Sequence, residues 1–247
     1  MNAGPLNRDQ IKYIAVFTMT LNHVARVFIE PDTLLYECFI YIGYFTAPVM
    51  CYFLAEGFRH TGSKARYCLR LGIFAALSEL PFCMAFSEAF NGETGISYCG
   101  MNMIFTLFLC YCMIWALEDL QSTLLKILTV FVTFYLSTFS DWALIAPLFA
   151  LVFQWAGTDE EKVKGAFAAS VLLLGMYRFM EVYGVWSDGE SLAYAIKNMI
   201  GPALAGIVII FGYNGKRAEK GRRISKWFFY AYYPLHLAVI GGMRIWL

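Results

Sequence analysis

The sequence predicts an all-α, polytopic membrane bundle of about nine spanning helices, with its amino terminus cytoplasmic and its carboxy terminus external. Three observations predict it. Of 247 residues, 60% are hydrophobic and 15% charged, where a soluble domain carries about 45–50% and about 25%. The 19 basic and 18 acidic residues gather between long apolar runs. Basic connections also alternate with acidic ones, as the preference of cytoplasmic loops for Lys and Arg requires. A single multi-pass domain, 1–247, in the cytoplasmic (inner) membrane is the expectation, with membrane lipids as its surroundings.

The apolar runs fall near 11–29, 36–57, 68–87, 101–119, 122–138, 141–157, 163–181, 193–213 and 226–246. Most have the length of about 17–25 residues that a helix needs to cross the hydrocarbon core. The first run lacks a following small-residue cleavage site and is expected to stay as a span. The fifth and sixth are short and meet at FSDWA, so a broken or re-entrant pair is an alternative. Arg59, Lys64, Arg66 and Arg70 surround the second connection, Lys162 and Lys164 follow the sixth run, and Lys216 to Lys226 follow the eighth. The segments holding Glu88 and Glu93, and Asp188 and Glu190, carry almost no base.

Within the first run, Lys12, Met19, His23 and Arg26 fall along one side at helical spacing, with Asn22 beside them. Lipid does not solvate such a stripe, so it faces protein or a water-filled cavity. His23 is the prime proton acceptor, since imidazole titrates near neutral pH; a packed histidine bonded between helices is the plainer alternative. Further polar groups are expected in the same outer half: Glu79 in ALSELPF, where Pro81 bends the helix, Asn102, Asp141, Arg178, Glu181, Lys197 and Asn198. They either line a shared cavity or form structural pairs, because an isolated charge in hydrocarbon is costly. In the last run Pro234 opens the helical ladder, and Tyr230, Tyr233 and His236 share a face.

The inner half gathers Glu56, Arg59, Thr61, Lys64, Arg66 and Arg70, joined by Arg217 and Arg222 of the basic loop. An anionic cytosolic ligand would find phosphate partners there, and plain membrane topology accounts for the same residues. The seven cysteines suggest neither a disulfide nor a zinc framework: six lie in or beside apolar runs and Cys99 alone in a connection. No metal is expected, and the basic loops lack a nucleic-acid recognition element.

Several stretches carry a family resemblance from end to end. KYIAVFTMTLNHVARVF at 12–28, FLAEGFRHTGSKARYCLRLGIFAALSELPF at 53–82, YNGKR at 213–217 and FFYAYYPLHL at 228–237 resemble the TraX family. That family is named for the pilin acetylase of conjugative plasmids and is related to the multispan membrane acyltransferases. The resemblance implies transfer of an acetyl or other acyl group from acyl-coenzyme A to a peptide amine, a glycan or a lipid headgroup. It implies catalytic roles for His23, Asn22, Arg26, Glu79, Asn102, Asp141 and His236. Donor binding would fall to Glu56, Arg59, Lys64, Arg66, Arg70, Arg217, Arg222 and Tyr233. Many relatives carry Asp-His where this chain has Asn22-His23; an amide orients an imidazole without supplying charge, so Glu79 or Asp141 is expected to serve instead. A small-molecule transporter using the same polar path is the competing expectation, without a visible inverted repeat to support it.

Overall fold

The computed structural model describes residues 4–219 and 221–246, apart from the side chains of Arg222, Arg223 and Lys226. The helices in chain order are α1 (Arg8–Phe28), α2 (Leu34–Gly43), α3 (Thr46–His60), α4 (Lys64–Asn91) and α5 (Met103–Asp119). They continue with α6 (Thr123–Ser137), α7 (Ile145–Ala156), α8 (Glu160–Val182), α9 (Asp188–Ile207), a π-helical turn at Val208–Gly212, and α10 (Arg222–Trp246). Among the described residues the extended structure amounts to isolated bridges.

Each apolar run becomes one helical stretch, except that the second is divided at Tyr44 and Phe45 into α2 and α3. Among the described residues, four stretches are long and apolar enough to cross a membrane: Leu34–His60, Lys64–Asn91, Glu160–Val182 and Asp188–Gly212. α6 and α7 are apolar but shorter. Local chemistry sets the ends. Asn7 caps α1 in a reciprocal pair with Gln10, Ser187 caps α9 with Glu190, and Asn102 caps α5 through the backbone N–H groups of Ile104 and Phe105.

Large apolar side chains cover the outside. α6 exposes Leu124, Leu128, Phe131 and Tyr135; α8 exposes Leu172, Met176 and Met180; α10 exposes Leu235, Val239 and Met243. Water-soluble surfaces rarely carry contiguous apolar patches of this kind.

The chain gathers into two compact units. The first comprises Met1–Ala25, Ile29–Met50 and Trp155–Arg222; the second comprises Arg26–Phe28, Cys51–Gln154 and Arg223–Leu247. In the first, α8 and α9 pack side by side and α9 also meets α2. A Cβ on Gly201 would lie 2.5 Å from the Tyr41 carbonyl and 2.6 Å from Phe45 N, so α9 rests directly on the break between α2 and α3. α1 is tied in by neutral polar contacts: the Thr46 hydroxyl donates to the Ala15 carbonyl at 2.8 Å, and Asn22 Nδ2 donates to the Ile40 carbonyl at 3.0 Å.

In the second unit α4 and α5 run together, joined by Lys64 Nζ to Glu118 at 2.8 Å and by the Tyr111 hydroxyl to the Lys64 carbonyl at 3.2 Å. α10 meets α4 backbone to backbone, where a Cβ on Gly241 would lie 2.7 Å from Met84 Cβ.

Candidate active site

The second unit brings together Glu79, Asn102, Tyr233 and His236. Glu79 Oε2 accepts from Asn102 Nδ2 at 2.8 Å and from Asn102 N at 3.3 Å. The second hydrogen of the Asn102 amide goes to the Ala75 carbonyl at 2.8 Å, while its Oδ1 caps α5. Both amide hydrogens are thus engaged, and Asn102 acts as the group that fixes Glu79. The next residue along, Met103, donates its N–H to the Tyr233 hydroxyl at 3.2 Å. The Tyr233 ring meets His236 edge-on at 5.5 Å, and Tyr232 stacks on the same imidazole at 5.0 Å. His236 Nδ1 lies 2.9 Å from the Tyr232 carbonyl. A carbonyl only accepts, so that contact selects the Nδ1–H tautomer and puts the basic lone pair on Nε2.

Asp141 lies on the irregular segment between α6 and α7. Its backbone N donates to the Met101 carbonyl at 2.8 Å, and its Oδ1 accepts from Trp142 N at 3.0 Å. Thr106 Oγ1 donates to the Asp141 carbonyl at 2.6 Å. Trp142 and Leu144 hold positive φ angles of 58° and 62°. Bulky side chains seldom adopt that region; each such residue costs on the order of 1–3 kcal/mol, and strain of this kind collects at functional sites. Electrostatic coupling links Asp141 and Glu79 to Cys99 and to Tyr233.

The segment leading into Asn102 folds back along α4. Asn91 Nδ2 donates to the Tyr98 carbonyl at 2.9 Å, and Ser97 N donates to Ser87 Oγ at 2.9 Å. Cys99 is electrostatically coupled to Cys83, whose thiol lies 3.9 Å from Glu79 Oε1. Burial, then the neighbouring Cys83, push the Cys99 thiol up to about 12, so it stays protonated. Arg244 fastens the same segment: only 6% exposed, it donates from Nε to the Met84 carbonyl at 2.8 Å and from its Nη atoms to Glu88 and to the Thr94 and Gly95 carbonyls at 3.2–3.3 Å. Sequence reasoning missed Arg244. The signal was a cation close to the end of the last apolar run, where an ordinary helix-end charge reads identically.

The end of this unit where α3 leads into α4 holds Glu56, Arg59, Lys64, Arg66 and Arg70. Arg59 Nη1 reaches Gln154 Oε1 at 3.4 Å, Lys64 lies over Phe58 at 4.7 Å, and Arg70 lies over Tyr67 at 5.5 Å. Arg66 is exposed. Arg70 Nε is buried without a hydrogen-bond partner among the described residues, an unsatisfied donor suited to an anion. Arg26, assigned to this unit, lies over Phe90 at 5.9 Å.

In the first unit His23 and Asn22 are buried at 8% and 7% exposure, while Phe17 on another side of α1 is 62% exposed. The basic loop after the π turn is held by the amino-terminal segment. Leu6 N donates to the Gly212 carbonyl at 2.9 Å, Arg8 N to the Lys216 carbonyl at 2.9 Å, and Ala218 N to Asp9 Oδ2 at 3.1 Å. Arg217 projects exposed from this loop; the side chain of Arg222 lies outside the described ones. Arg178 pairs with Glu181 at 2.8 Å and Lys197 with Glu37 at 2.7 Å.

Comparison with known proteins bears on what these groups do. The family model described as "TraX protein" matches residues 7–244. A curated relative from Dichelobacter nodosus, "Probable fimbrial assembly protein FimC, serogroup H1", is 28% identical over 246 residues, covering 96% of each chain. No solved structure matches.

Proposed function

For a chain that belongs to the TraX family, we propose a membrane acyltransferase that moves an acetyl or other acyl group from cytosolic acyl-coenzyme A to an amine or hydroxyl at the outer side of the cytoplasmic membrane. The family's link to pilin acetylation and the name of the fimbrial assembly relative make a pilin-like peptide amine the first acceptor to try; a glycan or lipid headgroup comes next. The apolar outer surface and the alternating loop charge support a multi-pass protein with a cytoplasmic amino terminus.

The observation that carries the reading is the make-up of α4 and its neighbours. One end of this 28-residue helix bears Lys64, Arg66 and Arg70, with an unsatisfied buried guanidinium donor. Farther along, a carboxylate fixed by two N–H groups belongs to a cluster with a tyrosine and a histidine. A helix of that length rises about 42 Å, enough to take an anionic donor at one membrane face and perform chemistry toward the other.

In this mechanism Arg66, Arg70, Lys64 and Arg59 hold the donor phosphates, with Glu56 shaping the entrance. His23 removes the proton from the acceptor as its nitrogen or oxygen attacks the thioester carbonyl. Within the second unit, Arg26 and the Tyr233 hydroxyl are donors of the kind that steadies an oxyanion. Asn22 and Asn102, with amide hydrogens committed to Ile40, Ala75 and Glu79, position rather than donate. Glu79 and Asp141 favour the positive charge that develops on a histidine, and His236 is a second proton acceptor.

Calorimetric binding of acetyl-coenzyme A to the purified protein tests this, with free coenzyme A and ATP as controls. Micromolar, thioester-dependent binding is expected. Absence of binding in lipid-supplemented preparations would overturn the donor assignment and favour the transporter reading.

A further inference from the structure

The face of α4 that receives the returning segment repeats every fourth residue: Asn91, Ser87, Cys83 and Glu79. Three of them hydrogen-bond successive parts of the segment, Asn91 with Ser97 and Tyr98, Ser87 with Ser97, and Glu79 with Asn102; between the last two rungs this register sets Cys83 beside Cys99, to which it is electrostatically coupled. Four residues make about one helical turn, so the contacts form a ladder whose third rung is a pair of thiols. Neither cysteine is informative alone, one lying in an apolar run and the other in a connection; the fold-back is what pairs them. A second thiol pair, Cys68 and Cys112, lies 3.6 Å apart toward the basic ends of α4 and α5.

We propose that Cys83 and Cys99 form a disulfide that welds the 92–101 segment to α4 beside Glu79, while Cys68 and Cys112 stay reduced. The assignment rests on the orientation adopted under the proposed function, which puts the first pair toward the oxidising side and the second toward the cytosol. The bond between the two sulfurs forms as the S–S bond of an oxidising disulfide donor in the outer compartment breaks. The two thiol protons and two electrons leave on the donor's pair of new thiols. Oxidation takes place as the segment docks, before burial closes over either sulfur. Once made, the bond fixes the approach to Asn102 and so the hold on Glu79. A protonated, half-buried thiol is a poor nucleophile, which favours this tether over an acyl-carrying cysteine.

The test uses full-length protein from membranes, quenched in acid, denatured and tagged at every thiol with a maleimide of known mass. Five tags without reductant and seven after reduction are expected from the seven cysteines, with Cys83 and Cys99 recovered in one cross-linked peptide. Seven tags in both samples, or a cross-link between Cys68 and Cys112 instead, would overturn the proposal. Cys83→Ser and Cys99→Ser should each show six tags without reductant; four would assign the bond elsewhere. Orientation is read separately, by an impermeant maleimide on spheroplasts carrying T94C in a C83S/C99S background. Labelling from outside together with an unoxidised wild-type pair removes the disulfide and leaves the acyltransferase reading standing. Labelling only after lysis removes the orientation on which both depend.

Discussion

The two units solve the problem of buried polarity differently. In the first, the polar groups binding α1 are hydroxyls and an amide that donate to backbone carbonyls, while the ion pairs Arg178–Glu181 and Lys197–Glu37 retain partial exposure. In the second, a carboxylate is held by an amide and a backbone N–H, next to a turn containing two left-handed non-glycine residues. Neutral donors on carbonyls cost little in apolar surroundings, whereas a charged group and a strained turn need a reason to persist. The difference teaches that the charged groups that need fixing gather in the second unit, while the first is held together by neutral donors.

The largest test of that division is His23→Ala against Glu79→Gln. Loss of the base should lower transfer by about 10²–10⁴-fold while acetyl-coenzyme A binding stays within twofold (roughly 0.4 kcal/mol). Turnover retained in H23A, measured by acceptor acetylation, would remove His23 as the base. Glu79→Gln keeps the shape and one acceptor but removes the charge; charge-assisted bonds are worth about 1.5–3 kcal/mol, so transfer should fall about ten- to a hundredfold. The fall should appear in kcat with little change in the donor KM. An unchanged kcat would make the Glu79–Asn102 pair purely structural.

How much of this was legible beforehand depends on what each residue's chemistry reveals locally. Apolar run length placed every helical stretch, and the shortness of α6 and α7 was visible in the same count. The break at Tyr44 and Phe45 was hidden by the apolar side chains that continue through it, although Pro48, with no N–H for the Tyr44 carbonyl, is its local cause; that Gly201, more than 150 residues away, lets α9 rest on the break was not legible at all. The expense of a carboxylate in hydrocarbon argued that Glu79 would be paired. Only the fold-back of 97–102 shows that Asn102 is the partner, since its capping role and its position at a run's start say nothing about α4. Arg244 and the Cys83–Cys99 contact lie on that same fold-back and were hidden for the same reason. Asn22 was legible as a departure from its relatives, but not as a donor to the Ile40 carbonyl.

That contact sharpens the comparison. A carboxylate cannot donate, so Asn22→Asp sets an acidic oxygen against a carbonyl and also places charge in the neutral unit. The protein should lose about 1–3 kcal/mol of stability, seen as a lowered Tm in detergent. The loss should grow as pH rises and the new carboxyl ionises. If the neighbouring charge serves His23 as in the relatives, transfer per folded molecule rises even as stability falls. A Tm unchanged across pH would mean that the Asn22 amide bond contributes nothing.

The smallest effect is expected at the end of the second unit where α3 leads into α4. Arg70 carries a buried Nε without a described partner, while its guanidinium lies over the Tyr67 ring. If it serves the donor's phosphates, Arg70→Ala weakens acetyl-coenzyme A binding about three- to tenfold, the scale of about 1 kcal/mol for a partly screened ion contact, with kcat nearly unchanged. Arg70→Lys separates charge from shape: it keeps the cation but loses the planar fork that grips two phosphate oxygens. It should therefore lie between the two. The penalty should shrink with added salt, because screening weakens the contact in the wild type and not in the alanine variant. An equal Kd in all three proteins would return these residues to topology alone and confine the functional charge of the second unit to the Glu79 cluster.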